Sequence, residues 1–214
     1  MRKLHPCQSD RLTADDWQAP EQQYPPEAFP GYVAPIIRAN SDALRVDMAA
    51  FGLIPSWSKD RTIGRRTYNA RSETVAEKPS YRTAWRQRQF CLVPIKRFFE
   101  PCWETGKAVR WGIHRQDNEP FTVAAIWDSW TDRATGEIVE SFSMLTINAD
   151  GHPIMGRFHR PGDERRSLVV VPPSAWYEWL NATQISARQM MTAMPVAEYA
   201  AEPVDPPPVQ SELI

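Results

Sequence analysis

At 214 residues the chain has room for one large domain or two small ones, and no Gly/Ser-rich or charge-rich linker divides it, so a single domain over residues 1–214 is expected. A 42% hydrophobic content supports a sizeable core and excludes a disordered chain, while a formal net charge of -1 excludes a global pull toward polyanions. Any nucleic-acid surface must then be a local patch.

In chain order, residues 1–43 read as mostly irregular, because prolines at 6, 20, 25, 26, 30 and 35 break any long helix. A short helix fits Ser9–Trp17. Asp47–Leu53 is apolar-rich and reads as a strand, and Asp60–Arg66 as a basic loop crowded by Lys59, Arg61, Arg65 and Arg66. Ser80–Gln89 suits a helix capped by Ser80. Strand signals follow at Phe90–Ile95, Arg97–Trp103, Val109–His114, Phe121–Trp127 and Glu140–Ile147, separated by turn residues. Arg157–Arg166 reads as a polar, basic loop, Leu168–Val171 as a buried strand, and Ser174–Leu180 and Ser186–Met194 as helices. The tail from Glu202 is proline-rich and extended. This order predicts an α+β, strand-rich single domain whose antiparallel meander curls into a barrel-like core flanked by short helices.

Three cysteines, Cys7, Cys91 and Cys102, are an odd number at irregular spacing and argue against a disulfide framework. No C-x-x-C pair, H-E-x-x-H helix or Gly-rich phosphate loop occurs, so neither a metal nor another cofactor is expected. The basic start, Met1 to Pro6, has no apolar run behind it, and no stretch reaches the length of a membrane span; a cytoplasmic location without membrane contact is the expectation. No obligate protein partner is evident. Most of the nine tryptophans are expected in the core.

Four stretches set polar residues among apolar ones. In Tyr68–Thr74, Asn69 and Arg71 share one face of an extended segment, where the amide can orient a substrate and the guanidinium hold a phosphate; a capped turn before a helix is the alternative. In Phe98–Trp103, Glu100 stands between aromatic residues, an environment that suits a general acid or base; an exposed edge-strand glutamate beside Pro101 is the alternative. His159 lies in a loop with Arg157, Arg160, Arg165 and Arg166, where it can shuttle protons while arginines follow a phosphate backbone; a solvated loop histidine is the alternative. In Phe51–Lys59, Pro55 makes a rigid ledge and Trp57 beside Lys59 suits base stacking next to a phosphate contact; a hydrophobic plug is the alternative. His5, His114 and His152 read as structural or incidental.

Taken together, Gly-Tyr-x-Ala-Pro (31–35), Phe-Gly-Leu-Ile-Pro-x-Trp (51–57), Asn-Ala-Arg-Ser-Glu-Thr (69–74), Phe-Phe-Glu-Pro (98–101) and the late His159 resemble the SOS response-associated peptidase family, the abasic-site processing proteins. The resemblance runs from about residue 24 to the chain's end and leaves 1–23 as a divergent segment, with 202–214 as the extended tail. It implies binding of single-stranded DNA or DNA with abasic sites, and a location at the nucleoid during DNA damage. It also implies covalent chemistry in which an N-terminal cysteine, exposed by removal of the initiator methionine, closes a thiazolidine on the abasic aldehyde. Carried to matching positions, Asn69 would orient the terminal residue or sugar, Glu100 would move protons and His159 would assist ring opening. Arg71 would hold a phosphate, while Trp57 and Pro35 would form a stacking wall; Arg160 joins the expected DNA contacts. The sequence departs from the family at its second residue, Arg2, since only an N-terminal cysteine offers an amine and a thiol on adjacent carbons. Cys7 is internal and cannot substitute without cleavage before it. Three explanations stand open: a differently placed start, loss of crosslinking with DNA binding kept, or imine chemistry by an α-amine that titrates near pH ~8.

Overall fold

The structure, a computed structural model, describes residues 4–6, 24–40 and 43–204. The possible helix at Ser9–Trp17, Arg2, Cys7 and the tail beyond Val204 lie outside the described residues.

The expected strand-rich α+β architecture is present. Strand β1 is Leu4–Pro6, β2 Val33–Asn40, β3 Ala43–Phe51, β4 Asn69–Arg71, β5 Phe90–Cys102 and β6 Val109–Arg115. They are followed by β7 Phe121–Thr131, β8 Ile138–Asn148, β9 Arg166–Leu168, β10 Val170–Val171 and β11 Tyr199–Pro203. Helices α1 (Arg82–Arg86), α2 (Trp176–Leu180) and α3 (Gln184–Met190) are short. Strands β5, β7, β8, β3 and β2 pair in that order and return from β2 to β5, closing a five-stranded barrel. Closure runs through one parallel contact, Ala50–Phe51 on β3 beside Ser141–Phe142 on β8, where the meander alone would give only antiparallel neighbours.

Strand β5 explains the run of strand signals between 90 and 103. Its first half, Phe90–Ile95, pairs with β7; its second half, Arg97–Cys102, pairs with β6. One strand changes partner at Lys96, so two predicted strands are one element. The first half is apolar throughout because both faces are covered. Cys91, Val93 and Ile95 join residues from the other four barrel strands in the interior cluster. Phe90 and Leu92 join the outer cluster with Trp85, Trp176 and Trp179. Helices α1, α2 and α3 thus close the outside of the wall.

Three expectations are corrected. Residues 33–40 are not irregular: Pro35 sits inside β2 opposite Met48. A proline fits there because β2 meets β5 at a single rung of the ladder, Ile37–Leu92, leaving its other edge locally undemanding of donors. The helix expected at Ser80–Gln89 is shorter and starts from Tyr81, with no side-chain cap; it ends where Arg88 turns to φ +56°. The Asp60–Arg66 loop is a 3-10 turn at Arg61–Arg66, capped by the Asp60 carboxylate accepting from the Thr62 amide. No described helix is long and apolar enough to cross a membrane.

Trp179 is fully buried, and its indole N–H donates to the Cys91 carbonyl at 3.0 Å. Trp179→Ala is therefore expected to cost about 3–5 kcal/mol by cavity formation, read as a lowered midpoint in urea unfolding.

Candidate functional site

The site grows from the far half of β5. Alternation along the strand puts Phe98, Glu100 and Cys102 on one face, and all three are buried. Phe99 points the other way, under the Arg110 guanidinium at 3.6 Å, and Arg110 pairs with Glu27 at 2.8 Å. The Glu100 side chain has 0% exposure. Its Oε1 lies 3.8 Å from Nε2 of His159, close enough for attraction to an imidazolium and within a small side-chain rotation of a hydrogen bond. His159 holds φ +74°, a left-handed backbone rare for a residue other than glycine. Its Nδ1 is buried and has no hydrogen-bond partner among the described residues. Strand β1 lies antiparallel to β5, with Leu4 opposite Phe98, two residues from Glu100. Residues 4–6 are thereby held beside the segment that carries the acid.

A second feature is a cleft of about 770 Å³, lined among others by Trp57, Lys59, Arg66, Asn69, Arg71 and Lys78. Four cations there face one carboxylate, Asp60, which is already engaged with Thr62. Asn69 opens β4, which runs parallel to β8 with Asn69 opposite Met144. The Tyr81 hydroxyl donates to the Asn69 carbonyl at 3.0 Å, and burial pushes the Tyr81 phenol up to about 12, so it stays a donor at neutral pH. Trp57 is 51% exposed, unlike Trp85, Trp130, Trp176 and Trp179, and its indole N–H donates to the Pro79 carbonyl at 3.2 Å.

The loop bearing Trp57 is fastened at nearly every residue. Gly52 donates to the Phe142 carbonyl at 2.9 Å, and the Ile54 amide to Ser141 Oγ at 2.8 Å. The Ser56 amide donates to the Asp128 carboxylate at 3.3 Å, and the Trp130 indole to the Ser58 carbonyl at 2.8 Å. Gly52 has φ +115°, and a Cβ there would stand 2.1 Å from the Gly64 carbonyl oxygen, so only glycine fits.

Of the remaining expected DNA contacts, Arg71 lines the cleft while Arg160 and Pro35 do not. Arg71 is exposed and pairs with Glu164 at 2.7 Å. Arg160 is exposed, its guanidinium 5.9 Å from the centre of the Trp103 ring. Pro35 is buried within β2 and does not line the cleft. The other arginines of the His159 loop are each engaged with groups of the protein itself. Arg157 holds Glu104, Arg165 donates to the carbonyls of Gly156 and Asp163, and Arg166 is buried. Sequence reasoning missed the role of Arg166: it grips Glu73 through two hydrogen bonds of 2.9 and 2.8 Å, and also Glu164 and the Thr146 carbonyl. That grip locks the 69–74 motif to β9. The signal for it was the acid in that motif, but its partner lies 93 residues away. His152 is structural: its Nε2 donates to the Met194 carbonyl and its Nδ1 accepts from the amides of Ile154 and Met155. Burial holds Cys91 as a neutral thiol, with its pKa far above the usual range. Among the described residues no group of three His, Cys, Asp or Glu side chains converges as a metal site.

Comparison with known proteins gives concordant likenesses. A family model described as SOS response associated peptidase (SRAP) matches residues 5–212. The abasic site processing protein YoqW of Bacillus subtilis (strain 168) is 29% identical over 140 residues, covering 64% of this chain and 58% of that protein. The abasic site processing protein HMCES of Gallus gallus is 24% identical over 183 residues, covering 76% of this chain and 52% of that one. The chain thus spans somewhat over half the length of these relatives. A crystal structure of a protein from Bordetella bronchiseptica superimposes with a TM-score of 0.88 at 29% identity, covering 96% of this chain and 100% of that one. A second, from Bacteroides thetaiotaomicron, shares the fold with a TM-score of 0.75 at 24% identity, covering 86% of this chain and 80% of that one.

Burial raises the Asp128 carboxyl above its ordinary value of 3.8, against the opposing hydrogen bonds from the Ser129 and Ser56 amides. The folded protein keeps this proton at pH values where the unfolded chain releases it. The associated stability is full below about pH 4 and declines as pH rises through the folded value. Asp128→Asn is expected to flatten that part of the stability profile, measured by urea unfolding from pH 4 to 7.

Proposed function

Because the chain belongs to the SOS response associated peptidase (SRAP) family, we propose that it binds single-stranded DNA along the Trp57 cleft and processes abasic sites by amine chemistry at its first residues. The observation that carries this reading is the Glu100 carboxyl, buried to 0% exposure with the His159 imidazole 3.8 Å away, on the strand against which the chain's start is paired. A desolvated acid and an imidazole in mutual reach are the equipment for moving protons on and off oxygen.

The chemistry runs as follows. His159 assists opening of the abasic sugar to its aldehyde. An α-amine adds to C1′, and Glu100 protonates the carbinolamine hydroxyl, which leaves as water to give an imine. Asn69 orients the sugar. Where a thiol sits on the adjacent carbon, it adds to the imine carbon and closes a thiazolidine. Where none does, the imine stays open. The imine then loses a C2′ proton, the 3′ phosphate leaves by β-elimination, and water releases the amine. Trp57 stacks a base, while Arg71 and Arg160 take phosphates; the exposed Arg71–Glu164 pair exchanges one anion for another. Buried Pro35 has no part in this reading. A second reading is a non-catalytic binder of single strands, which the exposed Trp57 and the cations of the cleft would serve without a covalent step.

The test is borohydride trapping on an abasic oligonucleotide. A trapped protein–DNA species is expected, formed roughly a hundredfold more slowly by Glu100→Gln, with affinity for an intact strand nearly unchanged. Salt-dependent binding without any trapped species supports the second reading, and absence of both overturns the two together. Trp57→Ala is expected to weaken single-strand binding by about 1–3 kcal/mol, measured by fluorescence anisotropy.

A further inference from the structure

We infer that Glu104 and Arg157 are a pair of positioning residues that hold His159 against Glu100. This rests on the proton-transfer role proposed for those two groups and adds a function for an ion pair that faces solvent.

The segment Arg157–His159 is fixed residue by residue to the end of β5. The Arg157 guanidinium makes two parallel hydrogen bonds to the Glu104 carboxylate, at 2.8 and 2.9 Å. Phe158 forms an isolated antiparallel bridge with Cys102, and its ring is fully buried. The His159 amide donates to the Pro101 carbonyl at 3.2 Å. The same guanidinium lies 4.6 Å from the centre of the Trp111 ring, which packs 6.0 Å from Phe158. Trp111 is the residue of β6 directly opposite Glu100. One cation therefore ties the histidine's loop to the turn that follows β5 and to β6, the strand beside the acid.

A clamp is needed because His159 sits at φ +74°. A side chain with a β-carbon keeps that conformation only when its surroundings impose it. The rim position of Arg157 and Glu104, 39% and 51% exposed, gives the pair little weight in global stability. Its geometry, planar and two-pronged, supplies direction instead. Lysine at 157 would keep the charge and lose both the fork and the stacking on Trp111. The engagement of Arg157 with Glu104 and Trp111 also separates it from Arg160, which is exposed toward solvent.

Four variants test this: Arg157→Ala, Arg157→Lys, Glu104→Gln, and the charge-reversed double Glu104→Arg with Arg157→Glu. Each single change is expected to slow borohydride trapping at saturating abasic DNA by roughly tenfold to a hundredfold, with single-strand affinity within about twofold and the salt dependence of binding unchanged. The double reversal recovers part of the lost rate. In the DNA-free protein, the His159 ring resonances in a long-range 1H–15N spectrum shift in the single variants and move back in the double. If Arg157→Ala instead lowers affinity and reduces the salt slope by about one while the saturated rate holds, Arg157 is a phosphate contact and the clamp is wrong. Unmoved His159 resonances in all single variants overturn it as well. Should the unsubstituted protein give no trapped species, the proposed chemistry fails on its own, and the ring resonances still decide the clamp.

Discussion

Burying Glu100 is the constraint around which this molecule is arranged. Taking a carboxyl out of water carries a desolvation cost, and a chain that buries one must hold its surroundings firmly. It does so by placing Glu100 on β5, the strand that can least afford to move. The first half of β5 belongs to the closed barrel and contributes to both hydrophobic clusters. The second half leaves the barrel to pair with β6 and carries the acid outward between Phe98 and Cys102. Barrel integrity and acid placement are thus one property of a single 13-residue strand.

Two groups of cations stand apart in a way that composition cannot show. Arg38, Arg110 and Arg166 are drawn inward: Arg38 bridges Asp47 and Glu140, Arg110 meets Glu27 and the Phe99 ring, and Arg166 grips Glu73 and Glu164. These hold strands and motifs together. Lys59, Arg66, Arg71 and Lys78 instead line the cleft with Trp57 and Asn69. A net charge of -1 is consistent with a strongly cationic cleft, since acids elsewhere on the surface balance it.

Local signals were the legible ones. The apolar run at Phe90–Ile95, the turn residues between strands, and the aromatic residues around Glu100 all announced themselves, since each depends on neighbours a few positions away. Pro35 misled, because its meaning depends on which edge of β2 lacks a close partner. Ser80 looked like a helix cap, yet the turns that follow Arg71 delay the helix to Arg82. Trp57 could not be told from the buried tryptophans by residue type; its exposure follows from the loop fastened by Ser141 and Asp128. The pairs Glu73–Arg166 and Glu104–Arg157 join residues 93 and 53 positions apart, and no periodicity carries that information.

The most direct measurement is a crystal structure of the protein with a short single strand carrying one abasic site. The account predicts the strand in the cleft against Trp57, with the abasic C1′ within hydrogen-bonding reach of the first residues, Glu100 and His159. A strand lodged on another face, or an abasic sugar remote from the Glu100 carboxyl, would contradict it.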